Sequence, residues 1–388
     1  MRDTVSAVPA ELTAPLAPER DLRLDVLRGL ALVTIYINHV PGTVFERFTS
    51  RNFGFSDAAE AFVVMSGIAA GLAYSAQFRK PALWPAVARV WGRAWTLYLV
   101  HVTITFMAIA IAAGAAQYFG LYGMIQRNNL APLFRNPLEV LVGLPTLGHQ
   151  IGYFNILPLY ITLLLATPLI FPLALRAPWL LIAGSVCLWA LAGQFRLNLP
   201  AYPNPGGWFF NPLSWQLIFI IGLCTGIAMR DGRRLVPVRA GLVWACGLFL
   251  LFVLAWMKLP AVGSGGRAVL GQLRDWGLPF YLTGFDKTFV SLPRLLHVLA
   301  LFYLLSAVPL VRKVCASGVM QPLALMGRHA LPVFALGSVL CILMQAFKLG
   351  LPPSMGLDVA VIAGGLLAQW ALARTRDWSA AHRRRLAQ

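Results

Sequence analysis

Apolar runs separated by short polar breaks recur along the chain, and "AWTLYLVHVTITFMAIAIAAGAA", "AGLVWACGLFLLFVLAW" and "VAVIAGGLLAQWALA" are among the clearest. At about 20 apolar residues per membrane crossing, the pattern predicts ten helices: 25–46, 57–78, 94–117, 152–175, 178–196, 213–229, 240–257, 293–311, 322–347 and 356–373. Segment 137–147 is too short to cross and is expected at the interface. No polar block is long enough for a separate soluble domain. The expected fold is therefore an all-α integral membrane protein. Its parts are an N-terminal segment over 1–24, one transmembrane domain over 25–375 and a basic tail over 376–388. No internal repeat is evident, which weakens an inverted-repeat transporter without excluding it.

Composition sharpens this picture. Of 388 residues, 59% are hydrophobic and 12% charged, and the mean hydropathy is +0.71; soluble domains carry about 25% charged residues. The net charge of +18 would suit nucleic acid, but the basic residues sit in short clusters between apolar runs. "FRK", "RDGRR", "VRK" and "HRRR" are such clusters, the pattern of loop ends that face anionic lipid. With an inner N-terminus, Lys and Arg favour the inner segments over the outer by 20 to 11, which places both termini in the cytoplasm. The first twenty residues lack the apolar core of a cleavable signal, so the first span is expected to be retained. Five cysteines, an odd number without metal-type spacing, read as small buried hydrophobes.

Ionisable groups inside spans are costly and mark function by default. The first span, "RLDVLRGLALVTIYINHVPG", carries Asp25, Arg28, Asn38 and His39. Arg28 and His39 are eleven residues apart, which puts them about 20° from alignment and about 16 Å apart along the axis. Either Asp25 and Arg28 simply pair at the interface, or this stripe lines a site. In "RNFGFSDAAEAFVVMSG", Asp57 and Glu60 begin the next helix close in height to His39. One of them is expected to orient the imidazole through a hydrogen bond, and Asp57 also suits the helix cap. Arg51, Asn52, His149, Asn155, Asn211, Trp215, Gln216, Asp286, Lys287, Arg294 and His297 fall near outer helix ends on the same membrane face as His39. Arg328 and His329 lie near the opposite end of the ninth span, and His101 sits mid-span on the third. No phosphate loop, dinucleotide fingerprint, zinc motif or nucleophile elbow occurs.

Cations near the inner face and a base about 16 Å further out suit transfer of an acyl group from a cytoplasmic thioester to an outer hydroxyl. A proton-coupled transporter would also use buried Asp, Glu and His. The segments "RDLRLDVLRGLALVTIYINHVPG", "RNFGFSDAAEAFVVMSG", "FNILPLYI", "FNPLSWQLIFIIG", "FDKTFVSLPRLLHVLAL" and "GRHALPVFALG" are similar to the OpgC family of bacterial inner-membrane proteins. The family in turn resembles the wider type-3 transmembrane acyltransferases, in the Arg28–His39 spacing and the Ser66–Gly67 pair. The resemblance implies succinyl-CoA as donor and a periplasmic glucan hydroxyl as acceptor, with His39 as base or transient acyl carrier. It implies Arg28 beside the donor, and with it the reading groups Arg328 and His329 as donor-binding. Asp57 or Glu60 joins as orienter, and Arg51, Lys287 or Arg294 is expected to meet the succinyl carboxylate. No metal is expected. An acetyl donor, a glucan or acyl flippase and a non-catalytic subunit of glucan-synthesis machinery stay open, as does dimerisation through the lipid face.

Overall fold

The computed structural model describes residues 21–386; most of the expected N-terminal segment and residues 387–388 lie outside them. The described residues form helices and turns, joined by a single isolated bridge between Pro200 and Gly207. The chain opens with α1 (Leu22–Asn38), α2 (Ala58–Phe78) and the long α3 (Trp84–Phe119). Three short pieces follow, α4 (Gly123–Gln126), α5 (Ala131–Arg135) and α6 (Pro137–Gly143), and then α7 (Ile156–Arg176), α8 (Pro178–Gln194) and α9 (Pro212–Arg230). A hairpin of α10 (Ala240–Lys258) and α11 (Pro260–Asp275) leads through α12 (Phe280–Thr283) to α13 (Leu292–Ala307) and α14 (Pro309–Cys315). The last three are α15 (Gln321–Arg328), α16 (Ala330–Gly350) and α17 (Met355–Leu386).

Seven of these helices are long and apolar enough to cross a membrane, or eight if α13 and α14, bent by 80°, count as one. The expected ten differ from this for identifiable reasons. Both α1 and α8 have 17 residues, short of a comfortable crossing. Helix α1 stops at Asn38 rather than at residue 46, because Pro41 and Gly42 follow and Gly42 takes φ +83°, which favours glycine. The expected eighth span breaks where Pro309 starts a new helix. The ninth breaks at His329, whose φ of −103° and ψ of 38° leave the helical region. The stretch 258–292 between the expected seventh and eighth spans contains α11, and the tail from 376 continues α17 as helix to Leu386.

Two close crossings set the frame. Helices α2 and α9 run parallel, and glycines spaced by four on both let their backbones touch. A Cβ on Gly67 would lie 2.1 Å from the Phe219 carbonyl oxygen, and one on Gly226 2.1 Å from that of Ile68. Likewise α15 lies against α1, where a Cβ on Gly327 would meet the Asp25 carbonyl oxygen at 1.8 Å and one on Gly29 that of Leu323 at 2.0 Å. The interior between them is continuous, from Tyr36 and Val40 through Phe154 and Leu159 to Trp215 and Phe219, all buried.

Candidate active site

Helix α1 delivers His39 as its first residue past the helix end. The His39 amide still donates to the Ile35 carbonyl at 3.0 Å, and its carbonyl accepts from Gln345 Nε2 at 2.7 Å. Gln345 Oε1 accepts in turn from Asn128 Nδ2 at 2.7 Å, so α16 and the loop after α4 fix the backbone at this point. The imidazole stacks on Tyr153, centroids 4.0 Å apart and planes at 21°. Next to it, Asn38 Oδ1 accepts from Thr49 Oγ1 at 2.8 Å and ties down the following loop.

His39 faces a cavity of about 430 Å³ whose polar lining includes Arg51, Asp57, Asn128, Asn155 and Lys287, with Phe209 and Phe210 on the apolar side. A volume of this size is ordinary for a small-molecule site. Helix α2 supplies Asp57 as its N-cap: Oδ1 accepts from the Ala59 amide at 2.8 Å. Glu60 completes a reciprocal cap, Oε2 accepting from the Asp57 amide at 3.0 Å. The remaining carboxylate oxygens meet cations from far along the chain. Lys287 Nζ donates to Asp57 Oδ2 at 2.6 Å, and Arg294 Nε donates to Glu60 Oε1 at 2.7 Å. Arg294 Nη2 also lies 3.6 Å from Asp57 Oδ2, which joins the four groups into one network. Burial raises the cost of ionising Asp57, but the Lys287 ammonium and the Ala59 amide outweigh it and hold the carboxyl low, at about 2.

Neither carboxylate is hydrogen-bonded to the His39 ring, contrary to the expected orienting role. Their oxygens are taken by amides and by full positive charges, which make stronger partners than a neutral imidazole. Stacking on Tyr153 and the backbone bond from Gln345 hold His39 instead. Both were missed in the sequence. Tyr153 stood inside "GHQIGYFNILPLY", and Gln345 is the lone amide of an apolar run.

The other expected residues divide by position. Asn155 and Arg51 line the cavity, Arg51 in an ion pair with Glu46, while Asn52 Nδ2 donates to the Glu46 carbonyl at 2.6 Å. Trp215 backs the site, its indole donating to the Lys287 carbonyl at 3.0 Å. Asn211 caps α9 by accepting from the Leu213 amide at 3.0 Å, and Asp286 accepts from the Phe289 amide at 2.9 Å. Gln216 bonds to Ser185, and His297 Nδ1 lies 2.6 Å from Ser56 Oγ behind the loop before α2. His149 is buried beside Gly143 and His101 is buried in α3; neither lines the cavity.

At the far end of α1, Arg28 Nη2 donates to the Met65 carbonyl at 3.1 Å, and Asp25 is buried at the contact with α15. Arg328 and His329 both face Asp377 of α17, at 3.2 and 3.5 Å. Between this end and His39, a crevice of about 10 Å³ lined by Leu32, Ile35, Tyr36, Phe334 and Ser338 adjoins the imidazole. Among the described residues, no group of three or more His, Cys, Asp or Glu side chains is placed to hold a metal ion.

A protein-family model described as OpgC protein matches residues 20–381, nearly the whole chain. No curated protein and no solved structure matches it.

Proposed function

Because this chain belongs to the OpgC family, we propose that it is a membrane-embedded O-acyltransferase that passes a succinyl group from cytoplasmic succinyl-CoA to hydroxyls of a periplasmic glucan. The observation that carries the reading is His39 at the wall of a cavity of about 430 Å³, among ion pairs and hydrogen-bonding side chains. Counted with α1, α8 and the bent α13–α14 pair, the bundle then crosses ten times and returns both termini to the cytoplasm, with the His39 cavity on the periplasmic side of the inner membrane.

Histidine exchanges protons near neutral pH. In direct transfer, His39 takes the proton of the sugar hydroxyl as the oxygen attacks the thioester carbonyl. The carbon–sulfur bond breaks, the thiolate recovers that proton from the imidazolium, and a succinyl ester is left on the sugar. In the covalent variant, an imidazole nitrogen attacks the thioester carbonyl, the carbon–sulfur bond breaks and the thiolate leaves with the ring proton. The sugar hydroxyl then attacks the acyl-imidazole, and its proton returns to the ring as the nitrogen–acyl bond breaks. Either route needs the imidazole held in one pose, which the Tyr153 stack and the Gln345 bond provide. Lys287 and Arg51 meet the free succinyl carboxylate by exchanging it for Asp57 or Glu46. Arg28, Arg328 and His329, at the opposite end of α1, take the phosphates of the donor, and the crevice beside Leu32 and Phe334 widens to admit the pantetheine arm.

The test uses purified protein in proteoliposomes, with labelled succinyl-CoA on the cytoplasmic side and glucan on the other. Wild type should label the glucan and His39→Ala should not, with both folded by thermal melting. Labelling by both variants would remove His39 from the chemistry. Labelling from acetyl-CoA alone would change the donor, and no acyl-CoA consumption at all would favour a transporter.

A further inference from the structure

A second cavity, of about 300 Å³, adjoins the first and shares Arg51 and Asp57 with it as a common wall. Its floor is the loop Gly54–Asp57 and its far side is the α10–α11 hairpin, through Trp256 and Arg267. Phe55, Trp256 and Phe285 form an aromatic cluster there, with ring centroids 4.7 to 5.8 Å apart. The indole has a built seat. A Cβ on Gly266 would lie 1.7 Å from the Trp256 ring, so only a glycine lets α11 lie against it. Glycine inside a helix costs about 1 kcal/mol against alanine, and the sequence "GSGGR" of α11 carries three. The loop below is fixed as closely: a Cβ on Gly54 would lie 2.2 Å from the His297 ring.

The lining itself carries three arginines against Asp57, but counting the partners just behind it brings the sum close to neutral. Arg51 pairs with Glu46 and Arg294 with Glu60, while Asp57 is held by Lys287; Arg267 is the lining cation outside these pairs. Donors and acceptors in balance beside aromatic faces suit a neutral polyol, whose C–H faces stack on rings while its hydroxyls hydrogen-bond. A phosphate headgroup would call for a surplus of positive charge. We propose that this cavity is a carbohydrate subsite, holding the sugar unit next to the one whose hydroxyl reaches His39, with Trp256 as its stacking platform. The inference rests on the reading of the acceptor as a glucan.

The experiment is calorimetric titration of the detergent-solubilised full chain with glucose and with gluco-oligosaccharides of increasing length from partly hydrolysed periplasmic glucan. Affinity should rise with length in wild type, and Trp256→Ala should weaken the longer fragments roughly tenfold or more. Because the indole also seats the hairpin, Arg267→Ala and Phe285→Leu, which leave it in place, should each cut the same length dependence while the melting temperature holds. No length dependence in wild type, or unchanged affinity in all three variants, overturns the subsite. So does competition by phosphatidylglycerol vesicles in place of sugar binding, which would make this a lipid-headgroup site. Length-dependent sugar binding without acyl transfer would sink the enzymatic reading and keep the subsite; acyl transfer with unaltered sugar binding in the variants would do the reverse.

Discussion

The two ends of the helix bundle use the same residue types in different ways. At the end that carries His39, Arg294 and Glu60 are 12% and 0% exposed, and with Lys287 and Asp57 they form a closed network at the edge of two cavities. At the other end, Arg79 and Asp231 tie α2 to α9 at 2.8 Å with Arg79 43% exposed, and Arg328 meets Asp377 at 3.2 Å with both over a third exposed. A buried charge that loses its partner is left uncompensated, whereas an exposed one is solvated at once. The Arg294–Glu60 pair is therefore committed to its geometry. The second set fastens helix ends with pairs that solvent lets exchange partners.

The widest separation between the ends should appear in activity. His39→Ala is expected to lower acyl transfer by about 10²–10⁴-fold, the range for loss of a positioned base, while Arg79→Ala leaves it within a factor of two or so of wild type; initial rates in proteoliposomes decide. Stability comes next. Arg294→Ala strands Glu60 and should destabilise the fold by about 3–5 kcal/mol, with a second change, Glu60→Gln, recovering part of the loss in melting temperature. If the single variant melts like wild type, the network is not what holds that end.

Acid titration gives a smaller contrast. The Asp57 carboxyl sits at about 2 against an ordinary 3.8, so the folded state binds its proton more weakly than the unfolded chain. Its contribution is complete above the ordinary carboxylate range and disappears as pH falls through the lowered value. Lys287→Ala should remove most of this acid-sensitive stability, seen as a flatter melting profile between those limits. Smallest of all, Arg79→Ala and Arg328→Ala should each cost less than about 1 kcal/mol, and raised salt should erase the difference.

Much of this was legible in the chain, and the reasons it stopped are local. Apolar length found every long helix, because hydrophobic content is carried by each segment alone. The break at His329 depends on a single backbone conformation, whereas the Pro41–Gly42 pair that ends α1 early is visible in the sequence. Asp57 and Glu60 were readable as a pair because a reciprocal cap spans four consecutive residues. Their cations lie more than 200 residues away in sequence, so Asp57 and Glu60 looked available to His39 when Lys287 and Arg294 had already claimed them. Tyr153 and Gln345 show the same limit from the other side. A ring stack and an amide-to-carbonyl bond leave no periodic trace, although both fix the residue on which the proposed chemistry turns.

The glycine contacts between α2 and α9 have a mechanical consequence. Backbones that touch without intervening side chains leave no rotamers to absorb sliding, so the two helices behave as one rod. The caps of that rod are Asp57 and Asn211, and Phe209 and Phe210 immediately precede the second. One side of the His39 cavity is therefore a fixed anvil. On the proposed reading, any opening that admits the acceptor has to come from parts outside this rod, such as the α10–α11 hairpin.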